Sequence, residues 1–393
     1  MSYYLLPRTN HIIHQFIDCI DTSEKIEPVI STSLAHYLYE IKKKLELIEK
    51  DWDLFKKYTN PYEYVHGIIP AKKKSVSKYR PLSRSYFKMI EIIHTFKINF
   101  ESQNIRTFHL AEGPGGFIEA IANVRNKEED IYIGISLLDD QNDPNIPAWK
   151  KSQQFLKDHK NVYIETGSDN TGNILTMENF IFCKETYGST MNLVTADGGF
   201  DFSMDFNKQE INIAKLLFAQ ICYALILQKK NGTFVLKIFD CFMNHSIDIL
   251  YILSSFYEKV YISKPNTSRY ANSEKYIICK GFLYESSESY YPFIYRAFEK
   301  MITPTKEVTN IFRFLSVPVA NLFITKLEEY NAIFGQQQVE NIYQTIMLID
   351  NKHNQEKIDL LIRNNIQKCI QWCTRFQIPY NVFLPQANET IFK

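Results

Sequence analysis

The chain has little of what marks the extreme classes of protein. It has almost no net charge: 45 Lys and Arg face 44 Asp and Glu across 393 residues, a formal +1. It is therefore no general polyanion binder, and a nucleic-acid site has to come from local segregation of charge. Cysteine is scarce, 7 residues with no CxxC pair, which argues against a disulfide framework and a structural zinc site and leads us to expect no metal. Cys369 and Cys373, four apart, read as packing residues of a helix. Only 13 Gly and 14 Pro occur, too few for a low-complexity chain, while 45% hydrophobic residues suffice for a large core. The longest apolar run, Leu216 to Leu227, is short of the roughly 20 residues that span a bilayer. The start MSYYLLPRTNHIIHQF has no basic segment followed by an apolar stretch. The expectation is an intracellular protein, cytoplasmic (a viral factory included) or nuclear, without a membrane partner.

Charge is segregated locally. Residues 41–90 hold 13 Lys and Arg against 5 Asp and Glu, with runs at Lys42 to Lys44 and Lys72 to Lys74. Patterning divides the chain into three. Residues 1–78 read as a helical extension, with Leu34, Leu38, Ile41, Leu45 and Ile48 at helical spacing ahead of a basic loop. Residues 79–285 alternate short β-branched runs with helical stretches, the pattern of a mostly parallel sheet covered on both faces. Residues 286–393 read as helical again.

Seven strands are predicted, at Arg106–Glu112, Ile131–Leu138, Val162–Gly167, Met191–Asp197, Thr233–Phe239, Lys259–Lys264 and Lys275–Phe282. Helices are predicted at Ser83–Phe100, Gly116–Val124, Ala148–Asp158, Asn207–Gln228 and Ser246–Tyr257. The last two strands are joined by too few residues for a crossover helix, so that pair is expected to be antiparallel.

The first of these strands runs through Glu112-Gly113-Pro114-Gly115-Gly116-Phe117 into a helix. Glycines at such a turn let a ligand approach the backbone, and amides at the helix start favour an anionic or carboxylate group. The spacing matches neither GxxxxGK[ST] nor GxGxxG. Asp197 closes the fourth strand at the carboxyl edge, where open α/β sheets bind ligands. Lys237 interrupts an apolar strand, and a buried ammonium needs a partner or a reason. If the last strand is antiparallel, Glu274 joins Asp197 and Lys237 at that edge. Lys88, about a turn into the helix before the first strand, looks like an ordinary helix lysine by itself.

Five segments, FKM, AEGPGGF, TADGGF, FVLKIFD and KPNTSRYANSEKYIICKGF, together resemble the FtsJ-like ribose 2′-O-methyltransferases, most closely their cap-specific mRNA branch of eukaryotes and large DNA viruses. The likeness covers about residues 83 to 282. It implies a Rossmann-like class I fold with S-adenosylmethionine as cofactor and a catalytic set Lys88, Asp197, Lys237 and Glu274. It further implies that Glu112 to Phe117 surround the methionine part with Ser83 nearby, that Asp169 and Asn170 meet the adenosine side, and that Ser136 lies where the second strand ends. Many members of the wider fold have an acid there, whereas here Asp139 and Asp140 arrive late.

Methyl transfer to a ribose hydroxyl is an in-line displacement in which the hydroxyl loses its proton as the bond forms. Lys237 is the expected base, with Lys88 and burial favouring its neutral form and the carboxylates opposing. Ser268, Arg269 and Asn272 are the RNA candidates of the last loop, and Lys72, Lys73, Lys74 and Arg84 could hold phosphates. Capped RNA is the expected partner, with other capping or transcription proteins beside it. An rRNA or tRNA methyltransferase and a non-catalytic RNA-binding subunit are the alternatives.

Overall fold

Apolar, β-branched segments pair edge to edge to build the centre of the protein. The computed structural model describes residues 1–9, 11–98, 104–139, 148–199, 208–303 and 310–383. The strands are β1 (Ser2–Leu5), β2 (Ile17–Thr22), β3 (Arg106–Leu110), β4 (Ile131–Ile135), β5 (Val162–Glu165), β6 (Met191–Ala196), β7 (Gln228–Ile238), β8 (Tyr257–Lys264), β9 (Lys275–Phe282) and β10 (Asn310–Leu315). One eight-stranded sheet has the order β1-β8-β9-β7-β6-β3-β4-β5, and β2 and β10 form a separate antiparallel pair. β3, β4, β5, β6 and β7 are mutually parallel. β9 lies antiparallel between β7 and β8, as the short connection required.

The helices are α1 (Thr32–Glu46), α2 (Glu49–Thr59), α3 (Ser85–Phe96), α4 (Gly116–Arg125), α5 (Gln153–Asp158), α6 (Met177–Tyr187), α7 (Gln209–Leu227), α8 (Asn244–Phe256), α9 (Tyr291–Ile302), α10 (Asn321–Asp350) and α11 (Gln355–Arg375). Phe87 and Ile90 of α3, Phe117 and Ile121 of α4 and Trp372 of α11 pack with Val235 and Ile278 on one sheet face. Phe218 and Ile221 of α7, Leu250 of α8 and Phe314 of β10 pack with Leu110 and Val194 on the other. This is the Rossmann-like arrangement expected. α7 is long and apolar enough to cross a membrane, yet 83% of that stretch is buried within the protein, so it serves as a core helix.

Three elements differ from expectation. The sheet has eight strands, not seven, because β1 adds antiparallel to β8. Neither flank is purely helical: β2 and β10 pair across nearly 300 residues of sequence, and β10 (NIFRFL) lacks the strict apolar–polar alternation that marks a strand. α6 went unpredicted because its apolar residues, Met177, Phe180 to Cys183 and Tyr187, surround the helix and mark no single face.

β10 is tied to the core by Asp248 of α8, which is buried and accepts from Arg313 Nε at 3.0 Å, Arg313 Nη2 at 2.7 Å and the amides of Phe314 at 2.9 Å and Leu315 at 3.1 Å. Asp248→Ala leaves Arg313 Nε and the two amides without this acceptor and is expected to lower the unfolding free energy by about 3 kcal/mol. Urea unfolding measures it; a loss under about 0.5 kcal/mol, ordinary for a surface change, would show that the tie does not hold β10.

Candidate active site

The carboxyl rim of the sheet gathers the predicted residues. Asp197 follows β6 directly, and Lys237 of β7 pairs in register with Tyr276 of β9. Because β9 runs the other way, its start lies at the same rim, which brings Glu274 there. Lys88 reaches in from the first turn of α3. Lys88 Nζ donates to Glu274 Oε2 at 2.8 Å. Lys237 Nζ donates to the Asp197 carbonyl at 2.6 Å and lies 3.5 Å from Asp197 Oδ1. Tyr276 links the pairs: its hydroxyl donates to Asp197 Oδ1 at 2.9 Å, and Lys88 Nζ stands 5.8 Å from its ring centroid. Sequence reasoning missed Tyr276, although a tyrosine directly across from a strand lysine was a usable signal.

Burial pushes Lys88 below the usual lysine range; Glu274 opposes the shift, while Arg84 and Lys237 add to it. Burial alone would raise Glu274, but Lys88, Lys237 and Arg84 outweigh it and hold its carboxyl well below the usual range. The rim thus keeps charged groups desolvated and mutually compensated, the condition under which they act strongly on a reacting bond.

The loop 265–274 that carries Glu274 is clamped from below. Lys264 Nζ donates to the carbonyls of Asn272 at 2.6 Å and Glu274 at 2.8 Å, and Lys275 Nζ to that of Ser273 at 2.8 Å. Glu91 of α3 accepts from the amides of Asn266 at 2.9 Å and Thr267 at 2.8 Å. Burial pushes Lys264 down to about 7. None of these three was singled out in the sequence.

Two RNA-side expectations are corrected here. Ser268 is fully buried and donates to Glu274 Oε1 at 2.7 Å, so it orients the carboxylate. Arg269 is taken up by Glu63 through Nε at 2.9 Å and Nη2 at 2.6 Å, which fastens the loop to the N-terminal extension. Lys42, read as part of a basic run, is buried against Asp240 at 3.2 Å. Asn272, Lys72, Lys73 and Lys74 are exposed, and Arg84 is half-buried with no ion pair among the described residues.

The glycine-rich turn is built mostly for the protein's own contacts. A Cβ at Gly113 would stand 2.3 Å from the Ala148 carbonyl, and one at Gly116 would stand 2.3 Å from the hydroxyls of both Ser83 and Ser85. Gly115, at φ +97°, precedes α4 in a conformation that side chains resist. Pro114 accepts from Ser152 Oγ at 2.6 Å through its carbonyl, and the Phe117 ring is buried 5.9 Å from that of Tyr276. Phe117 therefore backs Tyr276 from within the core. Ala111 and Asn170, neither a glycine, adopt left-handed backbone at φ 52° and 60°, strain of the kind that collects at binding sites.

Opposite this turn, Ser136 is buried with its carbonyl against Gly172, where a Cβ would come within 2.1 Å. Asp139 pairs with Lys150, and Asp140 lies outside the described residues. The Asp169 side chain orders its own loop, accepting from the Thr171 amide at 2.9 Å and Asn179 Nδ2 at 2.8 Å. Glu112 is different. It is buried, accepts from Thr195 Oγ1 at 3.0 Å, and leaves Oε2 with no hydrogen bond. An orphaned carboxylate oxygen at the rim fits the ammonium of an amino-acid-bearing cofactor such as S-adenosylmethionine.

A Rossmann-like sheet with two Lys and two acids converging at its carboxyl rim defines a class I methyltransferase. The family model for FtsJ-like methyltransferase matches residues 81–282, and the chain belongs to that family. Cap-specific mRNA (nucleoside-2'-O-)-methyltransferase 2 of Danio rerio is 28% identical over 326 residues, covering 80% of this chain and 43% of the relative. Cap-specific mRNA (nucleoside-2'-O-)-methyltransferase 1 of Xenopus laevis is 31% identical over 244 residues, covering 57% of this chain and 27% of the relative. The chain thus spans less than half the length of these relatives. A solved structure of a putative ribosomal RNA methyltransferase from Plasmodium falciparum is 20% identical with a TM-score of 0.37, over 51% of this chain and 98% of that one.

Glu63 supplies a pH test of the loop anchor. Burial opposes its ionisation, but the Arg269 guanidinium outweighs burial, and its pKa falls from 4.5 to about 2. A depressed carboxyl contributes stability that is complete above the unfolded value and lost as pH falls through the folded one. The unfolding free energy of the wild type should exceed that of Glu63→Gln by a constant amount above pH 4.5, with the gap closing toward pH 2. A gap that widens in acid would contradict the anchor.

Proposed function

We propose that the chain transfers a methyl group from S-adenosylmethionine to a ribose 2′-hydroxyl, at the first or second transcribed nucleotide of capped mRNA. The observation that carries this reading is the convergence of Lys88, Asp197, Lys237 and Glu274 at one sheet rim, beside the turn that holds Glu112. The names of the relatives support the capped substrate.

The cofactor, when bound, supplies an electrophilic methyl group on a sulfonium. The chain's own task is to place the hydroxyl and remove its proton. Lys237 accepts that proton as the carbon–oxygen bond forms. Asp197 fixes the amine through its carbonyl and carboxylate, and Tyr276 fixes Asp197. Lys88 and Glu274 frame the hydroxyl from the other side, each holding the other's charge. Glu112 would take the cofactor ammonium, and Ser83, Asp169 and Asn170 would meet the rest of the cofactor. On the RNA side, Asn272, Arg84 and Lys72 to Lys74 are the groups left available, and phosphate contacts by these cations make binding fall with salt. The protein acts inside cells, beside the machinery that supplies capped ends.

Incubation with labelled S-adenosylmethionine and short RNAs of one sequence, capped or uncapped, tests the reading. Capped RNA should be methylated and uncapped RNA should not; equal labelling removes the cap assignment, and no labelling removes the enzyme. Lys237→Met is expected to lower transfer about 10³-fold while calorimetry still finds the cofactor bound. Substantial remaining turnover would remove Lys237 from the base role.

A further inference from the structure

β3 has the sequence Arg-Thr-Phe-His-Leu, with Thr107 and His109 on one face and both completely buried. A histidine buried in a central strand is expensive unless both ring nitrogens are satisfied. Here they are. Nε2 lies 2.8 Å from Thr107 Oγ1, and Nδ1 lies 2.7 Å from Thr195 Oγ1 of the neighbouring β6. Thr195, also completely buried, pairs in register with His109 and stands two residues before Asp197.

One consistent direction of donation runs through these groups to Glu112. Thr107 gives its hydroxyl proton to Nε2, the Nδ1 proton goes to Thr195 Oγ1, and the Thr195 proton goes to Glu112 Oε1 at 3.0 Å. The chain ends on a carboxylate, where charge-assisted hydrogen bonds are strongest. It occupies only one carboxylate oxygen. Nδ1 is also 3.3 Å from Glu112 Oε2, but its proton is committed to Thr195, and Oε2 is left without a hydrogen bond. Burial pushes Glu112 above the usual carboxylate range, as expected for an acid whose second oxygen awaits a donor.

We propose that His109 is a positioning residue for the cofactor: through Thr195 it locks Glu112 in the orientation that leaves Oε2 for the ammonium group of bound S-adenosylmethionine. This rests on the methyltransferase reading above. An apolar residue of similar volume would fill the same space without three desolvated polar groups, so packing alone does not account for the chain. The relay also joins the cofactor turn to the strand that delivers Asp197.

The test measures S-adenosylmethionine affinity by calorimetry and methyl transfer to capped RNA by steady-state kinetics, in the full chain and its variants. His109→Leu and Thr195→Val should each weaken cofactor binding about tenfold, the scale of one hydrogen bond to a charged group. KM for the cofactor should rise in step, with kcat at saturating cofactor changed less than about twofold and KM for RNA unchanged, the pattern of lost ground-state binding. His109→Asn, whose amide nitrogen can stand near the Nδ1 position, should restore most of the affinity. The double variant should be no weaker than the worse single one, because both cut one chain. Should His109→Leu fail to fold, Thr195→Val reads the same link with an isosteric side chain. Cofactor affinity equal to wild type in the cut variants overturns the proposal, as does a loss confined to kcat. A wild-type chain that binds no S-adenosylmethionine overturns the methyltransferase reading itself, and with it this inference, before any variant is made.

Discussion

The buried pair of Lys88 and Glu274, 2.8 Å apart, is the contact on which the architecture of the rim depends. Removing an ammonium and a carboxylate from water costs several kcal/mol for each ion, and their attraction offsets that cost only when geometry and further hydrogen bonds are good. The fold supplies both. Ser268 saturates the other Glu274 oxygen, and the loop carrying the acid is pinned through the carbonyls of three consecutive residues and the amides of two more. These anchors lie on α3, β8 and β9, so the pair depends on long-range packing.

The same requirement explains why the N-terminal extension is not a detachable appendage. Glu63 holds Arg269 in the loop, and Lys42 of α1 meets Asp240, which also lies 3.6 Å from Lys275. Two contacts thus run from the extension into the supports beneath Glu274. Two residues that read as basic surface in the sequence, Lys42 and Arg269, are internal bracing, while Lys72 to Lys74 stay exposed.

The parts legible in the sequence were those where local pattern and global fold agree. Short apolar runs gave the parallel strands, and the brief connection before Lys275 gave the reversal of β9 that carries Glu274 to the rim. The polar loop 265–274 was harder, because serine and arginine there suggest solvent while the antiparallel return folds them onto buried charge. His109 and Thr195 left only a weak trace, polar residues at alternate positions of otherwise apolar strands. Their meaning depends on which strand lies next to which, and that follows from topology. β1 and β10 carry no clear alternation, and their pairing is set by distant partners.

The central claim is geometric, and the most direct measurement is a crystal structure of the chain with S-adenosylhomocysteine and a capped oligonucleotide. The account predicts the acceptor 2′-hydroxyl within about 3 Å of Lys237 Nζ, the distance that proton transfer requires, with the cofactor ammonium on Glu112 Oε2. A hydroxyl bound away from Lys237, or a cofactor whose ammonium is seated away from Glu112, would contradict it.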